Sequence, residues 1–170
     1  TVVAWQCAMN EKRPVALIFS RQNIKSLPAL NCSRRDEAKQ ATKGAYIVMD
    51  SAKAKVVMLA SGSEVATLIE GAELLQKEGI AVRVVSVPSE GLFRDQPKSY
   101  QDSILPKEIV RYGMTSGLSI NLRGLVGENG IIHGCDHFGY SAPFKVLDEK
   151  FGYNGQTVYE EVRALLNKNN

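Results

Sequence analysis

The 170-residue sequence has no excess of one charge, no long apolar run and no cysteine framework, and each absence closes off a class of function. Lys and Arg number 21 against 18 Asp and Glu, a formal charge of +3 with the cations scattered, so a nucleic-acid partner has no electrostatic support. The densest basic stretch, Ser33-Arg34-Arg35, runs straight into Asp36 and Glu37 and reads as a solvated loop. No segment approaches the roughly 20 apolar residues of a membrane span, and no signal-peptide pattern is present, so neither a membrane nor secretion is expected. Cys7, Cys32 and Cys135 stand at unrelated spacings, which suits a reducing, cytoplasmic compartment. Internal repeats and low-complexity tracts are missing. So are the dinucleotide fingerprint G-x-G-x-x-G, the Gly-Lys-Ser/Thr of phosphate loops and the Gly-x-Ser-x-Gly of hydrolases.

What is present suits one compact domain with a short extension, since 44% of the residues are hydrophobic. The first residue is not Met, and Val2, Trp5 and Met9 are already at helical spacing, which predicts a cut end. "VALIFS" (15–20) reads as a strand. The polar stretch from Asn23 to Lys43 is too long for an ordinary loop inside a domain and reads as an interdomain linker. A regular alternation follows. "KVVMLA" (55–60) is a short buried strand. Val65, Leu68, Ile69, Ala72 and Leu75 mark one face of a helix that stops at Gly79, and "IAVRVVSV" (80–87) is the next strand. This is a βαβ unit, so the two strands should be parallel and joined right-handedly.

Further on, helical pieces are expected between Pro88 and Pro106 and a strand over "EIVRYGM" (108–114). Asn129-Gly130 predicts a tight turn and an antiparallel strand. Closing helices are expected over 141–151 and 157–166, the second buried through Val158, Val162 and Leu165. Two capping boxes are suggested by spacing, Ser61 with Glu64 and Thr157 with Glu160.

Three places offer candidate chemistry. The turn Ser61-Gly62-Ser63-Glu64 lies between a strand and a helix, where free amides could hold an anionic effector, although a plain tight turn accounts for it. His133, Cys135, Asp136 and His137 are all metal-binding types, but no second cluster completes a closed zinc site, and incidental polar residues on a strand account for them. Arg21 ends an apolar strand. Its planar guanidinium suits a phosphate, or it pairs with a linker carboxylate such as Asp36.

The order and spacing of "LIFSRQNI", "MLASGSEV", "VRVVSVPS", "LF", "LP", "FGYSAP" and "EKFG" resemble the C-terminal part of transketolases, over nearly the whole chain. The Ser20-Arg21-Gln22 piece points to transketolase rather than to relatives sharing the domain. The resemblance implies an α/β fold, with an open, mostly parallel sheet of about five strands, one of them antiparallel, and helices on both faces. It implies that residues 1–23 are the last helix and strand of a pyrimidine-binding domain, 24–43 a linker and 44–170 the C-terminal domain. Thiamine diphosphate and Mg²⁺ would be held by upstream domains and none by this chain, and no catalytic residue is expected here, His133 and His137 included. Arg21 is the one site residue implied, as a contact to the phosphate of a sugar phosphate substrate, with Ser20 and Gln22 as positioning neighbours. The intact enzyme is expected to be a homodimer that transfers a two-carbon ketol unit. An alternative is a non-catalytic effector-binding or assembly module of a related thiamine-diphosphate enzyme.

Overall fold

A computed structural model describes residues 1–168; residues 169 and 170, the end of the expected 44–170 domain, lie outside the described residues. Its centre is β2 (Val56–Ala60), whose five residues are all buried. Side chains of a strand alternate between faces. Val56, Met58 and Ala60 accordingly enter one apolar cluster, and Val57 and Leu59 enter another on the opposite face. Helices α3 (Glu64–Lys77) and α8 (Gly155–Lys168) cover the first face. The second face is covered by α4 (Glu90–Arg94), α5 (Lys98–Ile104) and α6 (Arg123–Val126). An apolar run without polar alternation is what burial on both faces demands, and such strands are parallel.

With β1 (Tyr46–Met49), β3 (Val82–Ser86), β4 (Val110–Met114) and β5 (Ile131–His133), the sheet has five strands in the order β1-β3-β2-β4-β5. The pairs β3/β2, β2/β4 and β4/β5 are parallel, and β1 runs antiparallel to β3. The expected architecture is therefore present, but its antiparallel member is elsewhere. Asn129-Gly130 does not close a hairpin: it joins α6 to β5, which enters parallel to β4. Gly130 lies so near the sheet that a Cβ there would be 2.3 Å from the Arg111 carbonyl oxygen. The antiparallel strand is the short edge strand β1, just after the linker.

Other local expectations are corrected. The Val15–Ser20 segment has no regular secondary structure and belongs to no strand, because nothing among the described residues pairs with it. An extended segment becomes a strand only when its backbone groups find a neighbour. The linker is not structureless throughout, since α2 (Arg34–Glu37) and a 3₁₀ helix (Ala38–Lys43) occupy its second half. Ser33-Arg34-Arg35 is thus a helix start rather than a loop: Ser33 caps the Asp36 amide, and Arg34 pairs with buried Glu37 and lies 5.4 Å from the Tyr46 ring centroid.

Neither capping box forms. Helix α3 starts after Ser63, whose hydroxyl reaches Glu64 instead of a backbone amide, because Gly62 takes a left-handed φ of 64° and turns the chain directly into the helix. The cap of α8 is Asn154, whose Oδ1 accepts from the Thr157 amide at 2.9 Å. Asn is among the preferred N-cap residues. Helix α7 (Phe144–Phe151) begins three residues later than expected and buries no side chain fully, while α1 (Val2–Asn10) likewise buries none.

Candidate functional site

In open α/β sheets, ligands gather outside the carboxyl ends of the strands where the strand order reverses. Here the chain leaves β2 for β3 on one side and then crosses to β4 on the other, so the reversal lies between β2 and β4. A cleft of about 640 Å³ opens at that place. Its floor is the Ser61-Gly62-Ser63 turn after β2 and Met114, Thr115 and Ser116 at the end of β4. One wall is Leu147, Asp148 and Phe151 of α7 with Tyr153, and the other is the segment through Ile18, Phe19, Ser20 and Gln22.

The charge in this cleft is negative. Glu64 and Asp148 line it, and no Lys, Arg or His does. Burial raises the Asp148 carboxyl above its ordinary range. Burial, with nearby Cys135 and carboxylates, pushes the Tyr153 hydroxyl up to about 12, and that hydroxyl donates to the Thr115 carbonyl at 2.8 Å. The amides opening α3 face a site already carrying the Glu64 carboxylate, so an anionic effector gains little there. Thiamine diphosphate also finds no match: no cation meets a diphosphate in the cleft, and among the described residues no group of three His, Cys, Asp or Glu side chains is gathered to hold Mg²⁺.

The sequence cluster at 133–137 is pulled apart. His133 turns to Glu161 and to the Phe151 carbonyl. Asp136 accepts from the amide and hydroxyl of Ser119. Cys135 and His137 remain near each other, with Sγ 3.9 Å from Nδ1, but Nδ1 is 2.9 Å from the Phe138 carbonyl oxygen and must carry its proton there. It is not free to take one from the thiol, which faces the His137 carbonyl at 3.5 Å. A Cys-His nucleophile is therefore not assembled.

Arg21 is exposed and makes no hydrogen bond or ion pair among the described residues. Asp36, its possible partner from the sequence, is bound instead by Ser33 and Lys39, each at 2.6 Å. Ser20 and Gln22 line the cleft and Arg21, at a bend of the chain, does not.

A network that sequence reasoning missed lies behind the cleft wall. The Tyr112 hydroxyl donates to Glu161 Oε2 at 2.7 Å, and His133 Nδ1 lies 3.0 Å from Glu161 Oε1. These partners are 49 and 28 residues apart, so no local pattern announces them.

Residues 44–154 match the model of the transketolase-like C-terminal domain. The chain belongs to the transketolase family. It is 35% identical over 168 residues to a transketolase of Staphylococcus epidermidis, covering 97% of this chain and 25% of that protein. Among solved structures, it resembles transketolase from Campylobacter jejuni with a TM-score of 0.84 and 33% identity, over 96% of this chain and 24% of that one. Transketolase from Leishmania mexicana gives a TM-score of 0.77 and 32% identity over 87% of this chain and 21% of that one. The chain thus spans about a quarter of the length of the relatives it matches.

Proposed function

We propose that these residues are the C-terminal domain of a transketolase with the end of the domain before it, and that the intact enzyme moves a two-carbon ketol unit from a ketose phosphate to an aldose phosphate. The observation that carries the reading is the family match at 44–154 in a chain spanning a quarter of its relatives. On this reading thiamine diphosphate and Mg²⁺ belong to upstream domains. The chain itself serves packing and assembly of a cytoplasmic homodimer in the pentose phosphate pathway.

The division at residues 1–23, 24–43 and 44–170 is supported by the unpaired Val15–Ser20 segment. Ile18 is 93% exposed and Phe19 52%, an arrangement suited to a strand that completes a neighbouring domain's sheet. Arg21, unpaired at the end of that segment, is the residue we assign to the substrate phosphate.

Calorimetric titration of the 170-residue chain with thiamine diphosphate and Mg²⁺ should give no saturable heat, and its turnover of sugar phosphates should be nil. Micromolar binding of the cofactor would overturn the reading. Light scattering on the intact enzyme should report a dimer; a monomer alone would contradict the assembly role.

A further inference from the structure

Both ring nitrogens of His133 meet acceptors. Nδ1 is 3.0 Å from Glu161 Oε1 and 3.2 Å from Oε2, and Nε2 is 2.8 Å from the Phe151 carbonyl oxygen. A neutral imidazole has one N–H and would turn a lone pair towards one of these oxygens, whereas the imidazolium donates to both. Phe151 closes α7, so its carbonyl lacks a partner within the helix and lies at the negative end of the helix dipole. Glu161 is fixed from the other side by the Tyr112 hydroxyl. The site therefore has three devices that favour one proton.

We propose that the His133 imidazolium is a proton-dependent latch: charged, it ties the end of α7 to α8 and β5 and closes one wall of the carboxyl-edge cleft; deprotonated, it frees α7 and its cap, residues 144–152, while 134–136 stay held through the Cys135 amide on Gly117 and Asp136 on Ser119. Helix α7 is a suitable moving part because it buries no side chain fully. Its C-terminal end is held by the His133 contact and by the Tyr153 hydroxyl on Thr115.

The groups around the ring favour the charged form of His133. The Glu161 hydrogen bond raises the imidazole above its ordinary value against the effect of burial, helped by the Glu161 charge and the Phe151 carbonyl. Burial alone would raise Glu161, but hydrogen bonds from His133 and Tyr112 and the His133 charge leave it below its usual range. Tyr112 on β4 is raised by burial and by Glu161, and Tyr153, whose ring meets His133 edge-on at 5.0 Å, is also raised, so both stay neutral. A raised histidine contributes stability in full below about pH 6.5 and loses it as pH climbs through the folded value. A lowered Glu contributes above about pH 4.5 and loses it as pH falls through its folded value. The latch is closed between them.

The test uses the whole chain. Long-range ¹H–¹⁵N NMR should show both His133 nitrogens protonated below a midpoint that lies above about 6.5. Hydrogen-exchange protection over residues 144–152 should fall by about tenfold or more through that midpoint while α3 keeps its protection. His133→Gln should abolish this pH dependence. Glu161→Gln should bring the His133 midpoint down, and it serves as the test should His133→Gln not fold. A single-proton tautomer below about pH 6.5, a midpoint at or below that ordinary value, or pH-independent protection over 144–152 overturns the proposal.

Discussion

Gly71 on α3 faces Val158 on α8 so closely that a Cβ at position 71 would lie 2.4 Å from Val158 Cγ1. The approach is mutual, since a Cβ on Gly155 would be 2.8 Å from that of Glu70. Small residues at this crossing let α8 sink onto the sheet, where Val158, Val162 and Leu165 are almost completely buried.

Gly71→Ala sets two effects against each other. Replacing glycine inside a helix gains about 0.8–1 kcal/mol of propensity, while overpacking a core contact costs about 1–3 kcal/mol. A methyl at 2.4 Å cannot be relieved by a side-chain rotation alone, so overpacking should win and the urea midpoint should fall. Gly91→Ala is the control: a Cβ there meets nothing within 4 Å, and the midpoint should hold or rise. A raised midpoint for Gly71→Ala would show that the helix pair shifts freely.

Glu37 organises the linker by accepting three amides, from Leu30 and Asn31 at 2.7 Å and from Cys32 at 3.3 Å. The Asn31 amide, outweighing burial, and then Cys32, Leu30 and the Arg34 charge hold its carboxyl below the ordinary range. The stabilisation is therefore present above about pH 4.5 and lost as pH falls through the folded value. Glu37→Gln should speed hydrogen exchange at Leu30, Asn31 and Cys32 without touching the sheet. Unchanged rates at those amides would mean that the turn stands without the carboxylate.

How much of this was legible in the sequence depends on how local the cause is. The apolar run at Val56–Ala60 and the period of Val65, Leu68, Ile69, Ala72 and Leu75 carry their own explanation, and both elements form where the pattern places them. The Val15–Ser20 run carries only half of one, because a strand also needs a neighbour and none is among the described residues. Tyr46–Met49 is short and follows a polar stretch, so the edge strand was masked by the linker before it. Capping-box spacing misled twice: at α3 the left-handed Gly62 moved the helix start past Ser61, and at α8 Asn154 reached the Thr157 amide first. Of the cleft, only the Ser61-Gly62-Ser63-Glu64 turn was legible as a candidate, because a strand-to-helix turn is a local pattern. The Tyr112–Glu161–His133 network depends on tertiary contact alone.

Tyr112 is fully buried and its hydroxyl is one of two side-chain donors to Glu161. Tyr112→Phe keeps the ring and removes the donor. A typical hydrogen bond contributes about 0.5–1.5 kcal/mol, and Glu161 remains partly open to water, so the loss should lie in that range by chemical denaturation. The same change should raise the Glu161 pKa, moving acid destabilisation to higher pH. An acid limb identical to wild type would show that the tyrosine does not act on the carboxylate.

Arg21 combines three properties that a phosphate contact needs: it follows an apolar segment, it is exposed, and no carboxylate among the described residues occupies its guanidinium. An arginine held for structure alone would be expected to show a partner, and the nearest expected one, Asp36, is taken by Ser33 and Lys39. In the intact enzyme, Arg21→Ala should remove a charge-assisted hydrogen bond of about 1.5–3 kcal/mol. That converts to a loss of about 10- to 150-fold in kcat/KM for phosphorylated substrates. An unphosphorylated ketol donor lacks the phosphate assigned to Arg21 in the proposal, so its kcat/KM should be nearly unchanged. Arg21→Lys keeps the charge without the planar fork and should recover only part of the loss. Equal losses with both donor types would mean that Arg21 supports the fold of the neighbouring domain, and no loss with either would remove it from the site.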